Sequence, residues 1–380
     1  MKFLLIYVPN LRFSYKGDWS KRKLNEICQF FKGNGLSKSD LSNEGFPCIL
    51  YGELYTTYKN EVISDIISKT NTTLANPFLS RNNDLIIPGS GEDPIDIAVA
   101  RAIYQNDIIL GGDLNILRPK SNASAAFLSY QLNGVRRYDI AKKAQGKSIV
   151  HLHNSDLKEV LVSIPTYDEQ LHIVELLTKI DEMIDAQIKI IDDYNSLKIG
   201  IYNWMFKENY ADYKLKQLAY IVKGDQINND QLLSNGSYYM MNGGTSPSGY
   251  LDSYNVSENT ISISEGGNSC GYVQFNSSPF WSGGHCYTIQ NVNSALIDNK
   301  YLYHYLKHKE KEIMNLRIGT GLPNIQKRDL ENFTILAPNL SIQRKNLALF
   351  EMLDEKISVL NEELTILEKQ KKYLLCNMFI

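Results

Sequence analysis

The chain has 380 residues, 43% hydrophobic and 22% charged, enough for two or three domains with proper cores and too apolar for a disordered chain. Forty Lys and Arg against 42 Asp and Glu leave a net charge of −2, so the balance as a whole points to no polyanion. Five scattered cysteines (Cys28, Cys48, Cys270, Cys286, Cys376) with no Cys-x-x-Cys pair argue against a disulfide framework or structural zinc site and for a reducing, cytoplasmic setting.

Residues 1–14 form an N-terminal segment. Its apolar run from Phe3 to Val8 is too short for a secretory signal and stops at Pro9. No stretch approaches the ~20 apolar residues of a membrane span. Residues 15–165 read as a first α+β module, with strand-like runs at 84–87, 107–110 and 115–117 and helical stretches at 123–132 and 134–143. Residues 1–150 carry a net +5, concentrated at Arg136, Arg137, Lys142, Lys143 and Lys147. If the helix continues past Lys143, then Arg136, Lys143 and Lys147 share one side, as contact with a phosphate backbone requires; the alternative is a solvated helix face.

Residues 166–207 read as a long helix. From Asp168 to Phe206 there is no proline and one glycine, Gly200, and Pro165-Thr166-Tyr167-Asp168 supplies a capping residue. Leu177, Ile180, Ile184, Gln187, Ile191, Tyr194, Lys198 and Ile201 alternate spacings of three and four, the seam of a coiled coil. Residues 208–338 form a second α+β module, with strands predicted at 237–241, 260–264, 272–275 and 287–290 and a helix at 300–316. It is poor in charge but holds twelve tyrosines between 210 and 305. Tyr238, Tyr239, Tyr250 and Tyr254 flank a Gly/Ser/Asn loop and His285 follows a glycine pair, residue types that read base edges or stack, although most tyrosines serve a core. Residues 339–380 repeat the long helix, with a seam of Phe350, Leu353, Ile357, Leu360, Leu364, Leu367, Lys371 and Leu374.

The repetition is literal. Placed over one another at an offset of 173 residues without a gap, 156–206 and 329–379 share 11 of 51 positions, among them Pro165/Pro338, Gln170/Gln343, Asp181/Asp354, Lys198/Lys371 and Phe206/Phe379. Lys23-Leu24-x-x-Ile27 with Lys32-Gly33 likewise matches Lys214-Leu215-x-x-Leu218 with Lys223-Gly224, and Gly111-Gly112-Asp113 echoes Gly283-Gly284-His285. Matching frames thus enclose two divergent interiors, as a common scaffold with two specificities would. Two such helices favour an antiparallel coiled coil with pseudo-two-fold symmetry, a spacer of about 58 Å for 39 residues.

Catalytic chemistry finds no footing. Gly146-Lys147-Ser148 lacks the earlier glycine of a phosphate-binding loop, since Ala141 stands there. His304 and His308 have metal-ligand spacing without the accompanying glutamate and read as a surface pair; His151 and His153 lack a third ligand nearby. Asn76-Pro77-Phe78 is similar to the Asn-Pro-Pro-aromatic motif of amino-methyltransferases but misses its second proline. The chain reads as non-catalytic, with no cofactor and no metal of its own.

Over nearly its whole length the sequence resembles the specificity subunits of type I restriction–modification systems. The resemblance is carried by Pro9-Asn10-Leu11-Arg12-Phe13 with Trp19-x-x-x-Lys23-Leu24, by Gly319-Thr320-Gly321-Leu322-Pro323-Asn324-Ile325-x-x-x-Asp329-Leu330, and by Pro165-x-x-x-x-Gln170 and Pro338-x-x-x-x-Gln343 entering helices that end in Met-Phe. The first-half loop departs from the pattern, reading Gly146-Lys147-Ser148-Ile149-Val150-His151-Leu152. The resemblance implies two target-recognition domains on two conserved helices, each domain reading half of a split double-stranded DNA target while the helices set the gap. It implies two methyltransferase subunits bringing S-adenosylmethionine, and two restriction subunits that hydrolyse ATP with Mg. Under it, Arg136, Arg137, Lys142, Lys143 and Lys147 contact DNA in the first module and Arg317, Thr320, Asn324 and Lys327 in the second. The rival readings are a coiled-coil protein-binding scaffold, a self-contained nuclease, and a methylation-only assembly of the same family.

Overall fold

A computed structural model describes residues 9–206, 210–319 and 321–380. Its contacts divide the chain into two compact units, Met1–Ile188 with Glu362–Ile380 (unit 1) and Lys189–Asn361 (unit 2), so each unit holds a module and a part of both long helices.

In unit 1 a five-stranded sheet runs in the order Cys28–Lys32, Leu114–Pro119, Asp84–Pro88, Arg101–Ile103, Val62–Ile63. The strand Asp84–Pro88 is buried throughout, and Leu85, Ile86 and Ile87 fill the core on both of its faces. A second sheet of four short strands (Ile109–Leu110, Phe46–Ile49, Ser68–Thr70, Leu41–Ser42) adjoins it. Unit 2 repeats the central frame as four antiparallel strands, Tyr220–Lys223, Cys286–Gln290, Thr260–Ser264 and Val273–Asn276. Its second sheet, Gly249–Leu251, Tyr238–Met241 and Trp281–Ser282, has a different plan.

The central sheet of each unit is covered by one helix, α1 (Ala125–Asn133) in unit 1 and, later in the chain, its counterpart Asn299–His308 in unit 2. Ser124 caps the first, accepting from the Phe127 N–H, and Asp298 caps the second, accepting from the Lys300 and Tyr301 N–H groups. The stretch 134–143 is not one helix. After Gly134 only Arg137–Ala141 is helical, and the chain leaves through a turn at Lys142 and Lys143. The stretch 300–316 also breaks, at Lys309.

The long helices are α2 (Tyr167–Met205) and α4 (Leu340–Asn377), with Asn299–His308 numbered α3 between them. The repeated Pro-x-x-x-x-Gln motif proves to be a clamp. Gln170 Nε2 donates to the Pro165 and Asn122 carbonyls (3.2 and 3.0 Å) while its Oε1 accepts from the Ser124 N–H (2.9 Å). Gln343 Nε2 donates to the Pro338 and Leu296 carbonyls (2.7 and 2.9 Å) while its Oε1 accepts from the Asp298 N–H (2.8 Å). Both side chains are buried, and each ties the start of a long helix to the cap of the covering helix.

Within each unit the two helices run antiparallel. In unit 1 Lys371 reaches Asp181 (2.6 Å) and Gln187 donates to Glu363 (3.1 Å); in unit 2 Lys198 donates to Asp354. The duplicated Asp–Lys pair is therefore exchanged, the Asp of each copy meeting the Lys of the other. The seam residues Leu177, Ile191, Phe350, Leu353 and Leu360 are buried, and Ile180, Ile184, Ile357, Leu364 and Leu367 are half-buried.

The Met-Phe ends are exchanged as well. Met378 and Phe379, closing α4, enter the core of unit 1, where Phe379 packs on Phe127 (5.3 Å) and Trp19 (6.4 Å). Met205 and Phe206, closing α2, enter the core of unit 2 against Tyr301 and Tyr305. The apolar run Phe3–Val8 lies outside the described residues; of the rest of the N-terminal segment, Arg12 makes a bidentate pair with the buried Glu169 (2.7 and 2.8 Å), to which Trp19 Nε1 also donates, and the Leu11 N–H bonds the Asn377 carbonyl.

Candidate nucleic-acid interface

In unit 1 the strands Gln145–Gly146 and Val150–His151 form a tight hairpin, extended by Ser90–Gly91. In unit 2 bridges Ile318↔Asn324 and Gly266↔Asn324 build its counterpart. The registers agree: Gln145 lies opposite His151 and Ile318 opposite Asn324, both 173 residues apart. The first loop departs from the second in sequence and still adopts its pairing. Gly146 and Gly319 open the tips at φ 134° and 98°, where a side chain is strained; a Cβ at Gly146 would lie 2.0 Å from the Ile149 carbonyl oxygen.

The same frame holds each hairpin to the sheet. The Leu152 N–H bonds the Gly89 carbonyl as the Ile325 N–H bonds that of Glu265, and the Gly89 N–H bonds the Asp113 carbonyl as the Glu265 N–H bonds that of His285. Asn115 Nδ2 donates to the Leu152 carbonyl, and the Tyr287 hydroxyl, on the equivalent strand, to that of Ile325. The glycine pairs Gly111-Gly112 and Gly283-Gly284 thus sit at equivalent places. A Cβ at Gly33 would strike the Gly111 carbonyl oxygen (2.1 Å) and one at Gly224 that of Gly283 (2.4 Å).

Around this frame unit 2 converges loops at 224–226, 242–244, 265–267 and 283–285. The buried Glu265 accepts from Lys223 (2.6 Å) and from the Tyr287 hydroxyl (3.2 Å) and lies 3.5 Å from His285. Asn242 accepts from the His285 N–H, and the side chains of Gln226 and His285 are exposed. Gln226 and Lys223 were missed by residue-type reasoning; the signal for them was the Lys223-Gly224 element shared with Lys32-Gly33. Tyr238 and Tyr254 pack on each other (4.9 Å) with Tyr254 exposed, while Tyr239 stacks on the buried Phe280.

The basic cluster of the first module does not form one helical face. Because the helix stops at Ala141, Arg136, Lys143 and Lys147 do not share one helical side. Arg136 donates to the Ile380 carbonyl (2.9 Å), holding the end of α4, and Arg137 donates to the Ile95 carbonyl (3.1 Å). Lys142 and Lys143 lie in the turn that enters the hairpin and Lys147 on its exposed tip. In the second module Arg317 is exposed just before the hairpin and Lys327 just after it, within 3.7 Å of Glu331. Asn324 lies in the hairpin, its side chain accepting from Gln326; Thr320 lies outside the described residues.

His304 and His308 are not a surface pair. His304 is buried, its Nδ1 2.9 Å from the Tyr202 hydroxyl, and His308 packs on Tyr202 and Phe206. Burial holds both imidazoles below their ordinary range, an effect that Asp354 only partly offsets at His304. The buried thiols of Cys28 and Cys286 are pushed up, to about 12 and about 11, and are inert.

The long helices carry a second surface. Met183, Ile190, Leu197 and Trp204 recur every seven residues of α2, and Met352, Val359, Ile366 and Tyr373 every seven of α4, and all are exposed. All but Trp204, which precedes the core residue Met205, stand immediately before a seam residue. In unit 1 Ile366 and Tyr373 line, with Ile180 and Leu374, a groove of about 420 Å³. Among the described residues no helix is long and apolar enough to cross a membrane.

A family model described as the type I restriction modification DNA specificity domain matches residues 16–192 and 207–369. A putative type I specificity subunit of Mycoplasma pneumoniae is 35% identical over 127 residues, 33% of this chain and 34% of that protein, and one of Mycoplasma genitalium is 32% identical over 127 residues. The matched stretch spans about a third of the length of these two relatives. The putative type I restriction enzyme MjaX specificity subunit of Methanocaldococcus jannaschii is 22% identical over 369 residues, 85% of this chain and 84% of that protein. The fold is that of the crystal structure of a type I restriction-modification system S subunit from M. genitalium, with a TM-score of 0.69 at 19% identity over 98% of this chain and 99% of that one. A chain from a structure of type I R-M complex assembly and conformational transition matches at TM-score 0.60 and 15% identity, over 96% of this chain and 98% of that one.

Proposed function

The chain belongs to the type I restriction–modification DNA specificity family, and on that premise we propose that it is the non-catalytic reader of a two-part DNA target. The observation that carries this is one scaffold built twice, with the same hairpin, clamp and helix crossing, around two different reading surfaces. Each module takes one half-site in duplex DNA, and the helix pair sets the gap; half-sites one turn apart are roughly 34–36 Å from centre to centre. Lys142, Lys143, Lys147, Arg317 and Lys327 contact phosphates beside the hairpins, with Asn324 and Thr320 in the second, while the loop side chains of each module face base edges. Arg136 and Arg137 are engaged by backbone carbonyls and hold the fold instead.

The exposed apolar stripes of α2 and α4 are the docking faces for two methyltransferase subunits, which supply S-adenosylmethionine and transfer to adenine; restriction subunits with ATP and Mg join that assembly in the cytoplasm. Helix faces with heptad spacing suit partner helices. The test is long-read detection of modified adenine in DNA from cells expressing this chain with its methyltransferase, against cells lacking the chain. A chain-dependent two-part motif with a fixed gap is expected, and exchanging residues 15–165 for another such module should change one half alone. No motif with an active methyltransferase present, or a change in both halves, overturns the reading.

A further inference from the structure

Turn tips are ordinarily Gly, Asn, Asp or Ser, residues that tolerate the backbone and the water. At both equivalent hairpins the tip instead presents a branched aliphatic side chain. Ile149 is 57% exposed, and Leu322 is 86% exposed, more than any other large apolar side chain among the described residues. They stand 173 residues apart, in loops whose cross-strand pairs match (Gln145↔His151 and Ile318↔Asn324). Both are stiff. Ile149 is β-branched, and Leu322 precedes Pro323, which restricts its backbone to extended conformations.

We propose that Ile149 and Leu322 are wedges that enter between stacked base pairs of the target duplex, one in each half, an inference that rests on the DNA-reading role proposed above. Three observations carry it. The tips are alike where the loops around them differ, so they serve something both half-sites possess, and base stacking is common to every step. One side chain on a narrow tip is far short of the ~800 Å² per partner of a stable protein interface, yet one aliphatic wedge suffices to unstack a step. The tips are also bracketed by cations, Lys142, Lys143 and Lys147 at the first and Arg317, Lys327 and Arg328 at the second, which can hold the phosphates on either side of an opened step.

The test uses the full chain assembled with its methyltransferase subunits and a duplex carrying the motif found by modification mapping, with 2-aminopurine placed in turn at each position. The wild-type assembly should raise 2-aminopurine fluorescence at one step in each half. Leu322→Ala should abolish the rise in the second module's half, Ile149→Ala that in the first, each weakening binding at least about tenfold without changing the motif. Leu322→Met and Ile149→Leu should retain the signal. Alanine variants that bind and unstack as the wild type does, or that fail to assemble with the methyltransferase subunits, overturn the wedge. A wild-type assembly that binds no duplex specifically overturns the DNA-reading role itself and the wedge with it.

Discussion

In unit 1, Lys371 of α4 stands between Asp181 and Glu61 (2.6 and 2.7 Å), and the Tyr130 hydroxyl donates to Asp181 (2.7 Å). In unit 2 the same pair recurs as Lys198 and Asp354, but His304 occupies the place on α3 that Tyr130 has on α1, and nothing takes the part of Glu61 among the contacts described. The first crossing is sealed, with side-chain exposures of 17, 6 and 7% for Lys371, Asp181 and Glu61; the second is open, at 22% and 37% for Lys198 and Asp354. The invariant part is the exchanged Asp–Lys pair, a polar contact in a largely apolar seam, which fixes how the helices align. The flanks follow the divergent modules. Register is thus specified twice over, while the two modules remain free to differ.

Breaking the two lysines should expose the contrast most strongly. Lys371→Met leaves two carboxylates buried without a cation, a loss of about 3–5 kcal/mol. Lys198→Met leaves Asp354 close to water and should cost about 1 kcal/mol. Urea unfolding of the full chain measures both, and equal losses would mean that the sealed and open crossings do not differ in kind.

The glutamine clamps should show the opposite, an equality. Gln170→Ala and Gln343→Ala each leave one N–H and two carbonyls without their partner, a cost of about 2 kcal/mol apiece. Hydrogen exchange should rise at Ser124 in one variant and at Asp298 in the other, by similar factors. A response in only one would show that the motif has lost its meaning in the other half.

The parts of the fold that could be read in the residues are those where identity is enforced by burial. Gln170/Gln343 and the Met-Phe ends are repeated because each makes a buried contact, Asp181/Asp354 and Lys198/Lys371 because the exchanged pair fixes the helix register, and the heptads are visible because the seam stays largely apolar. What escaped depends on distant partners. Arg136 looked like a phosphate contact because Ile380, to which it donates, is 244 residues away in sequence. The end of the helix at Ala141 has no glycine or proline beside it to announce it. His304 and His308 were misplaced although the clue was present, since Tyr301, His304, Tyr305 and His308 follow the spacing of one helical face and the two tyrosines of that face are core residues. The candidate interface was legible only as loops. Which loops converge is decided by sheet pairing, as between Gly266 and Asn324, which no local pattern encodes.

The last effect expected is one of pH, and it separates the two crossings by chemistry alone. His304 is enclosed by Tyr202 of α2, by Tyr303 of its own helix, and by Glu351 and Asp354 of α4, with Lys198 and Lys300 opposing its charge. Burial is the dominant influence and depresses its pKa from 6.5 in the unfolded chain to about 4 in the folded one. A depressed base favours the fold while it is neutral. Its contribution is therefore complete above pH 6.5 and is lost as the pH falls towards about 4, because the unfolded chain takes up the proton first. His308, lowered in the same direction by burial, adds to the loss. Unit 1 has Tyr130 at the equivalent place, and its hydroxyl stays protonated throughout that range because burial raises its pKa further. Peptides covering Asn299–His308 should thus lose exchange protection between pH 6.5 and 4 before those covering Ala125–Asn133, and His304→Gln, which cannot titrate, should narrow the gap. If both helices open together across that range with or without His304, the open crossing is no more sensitive to acid than the sealed one, and the difference between them is one of exposure alone.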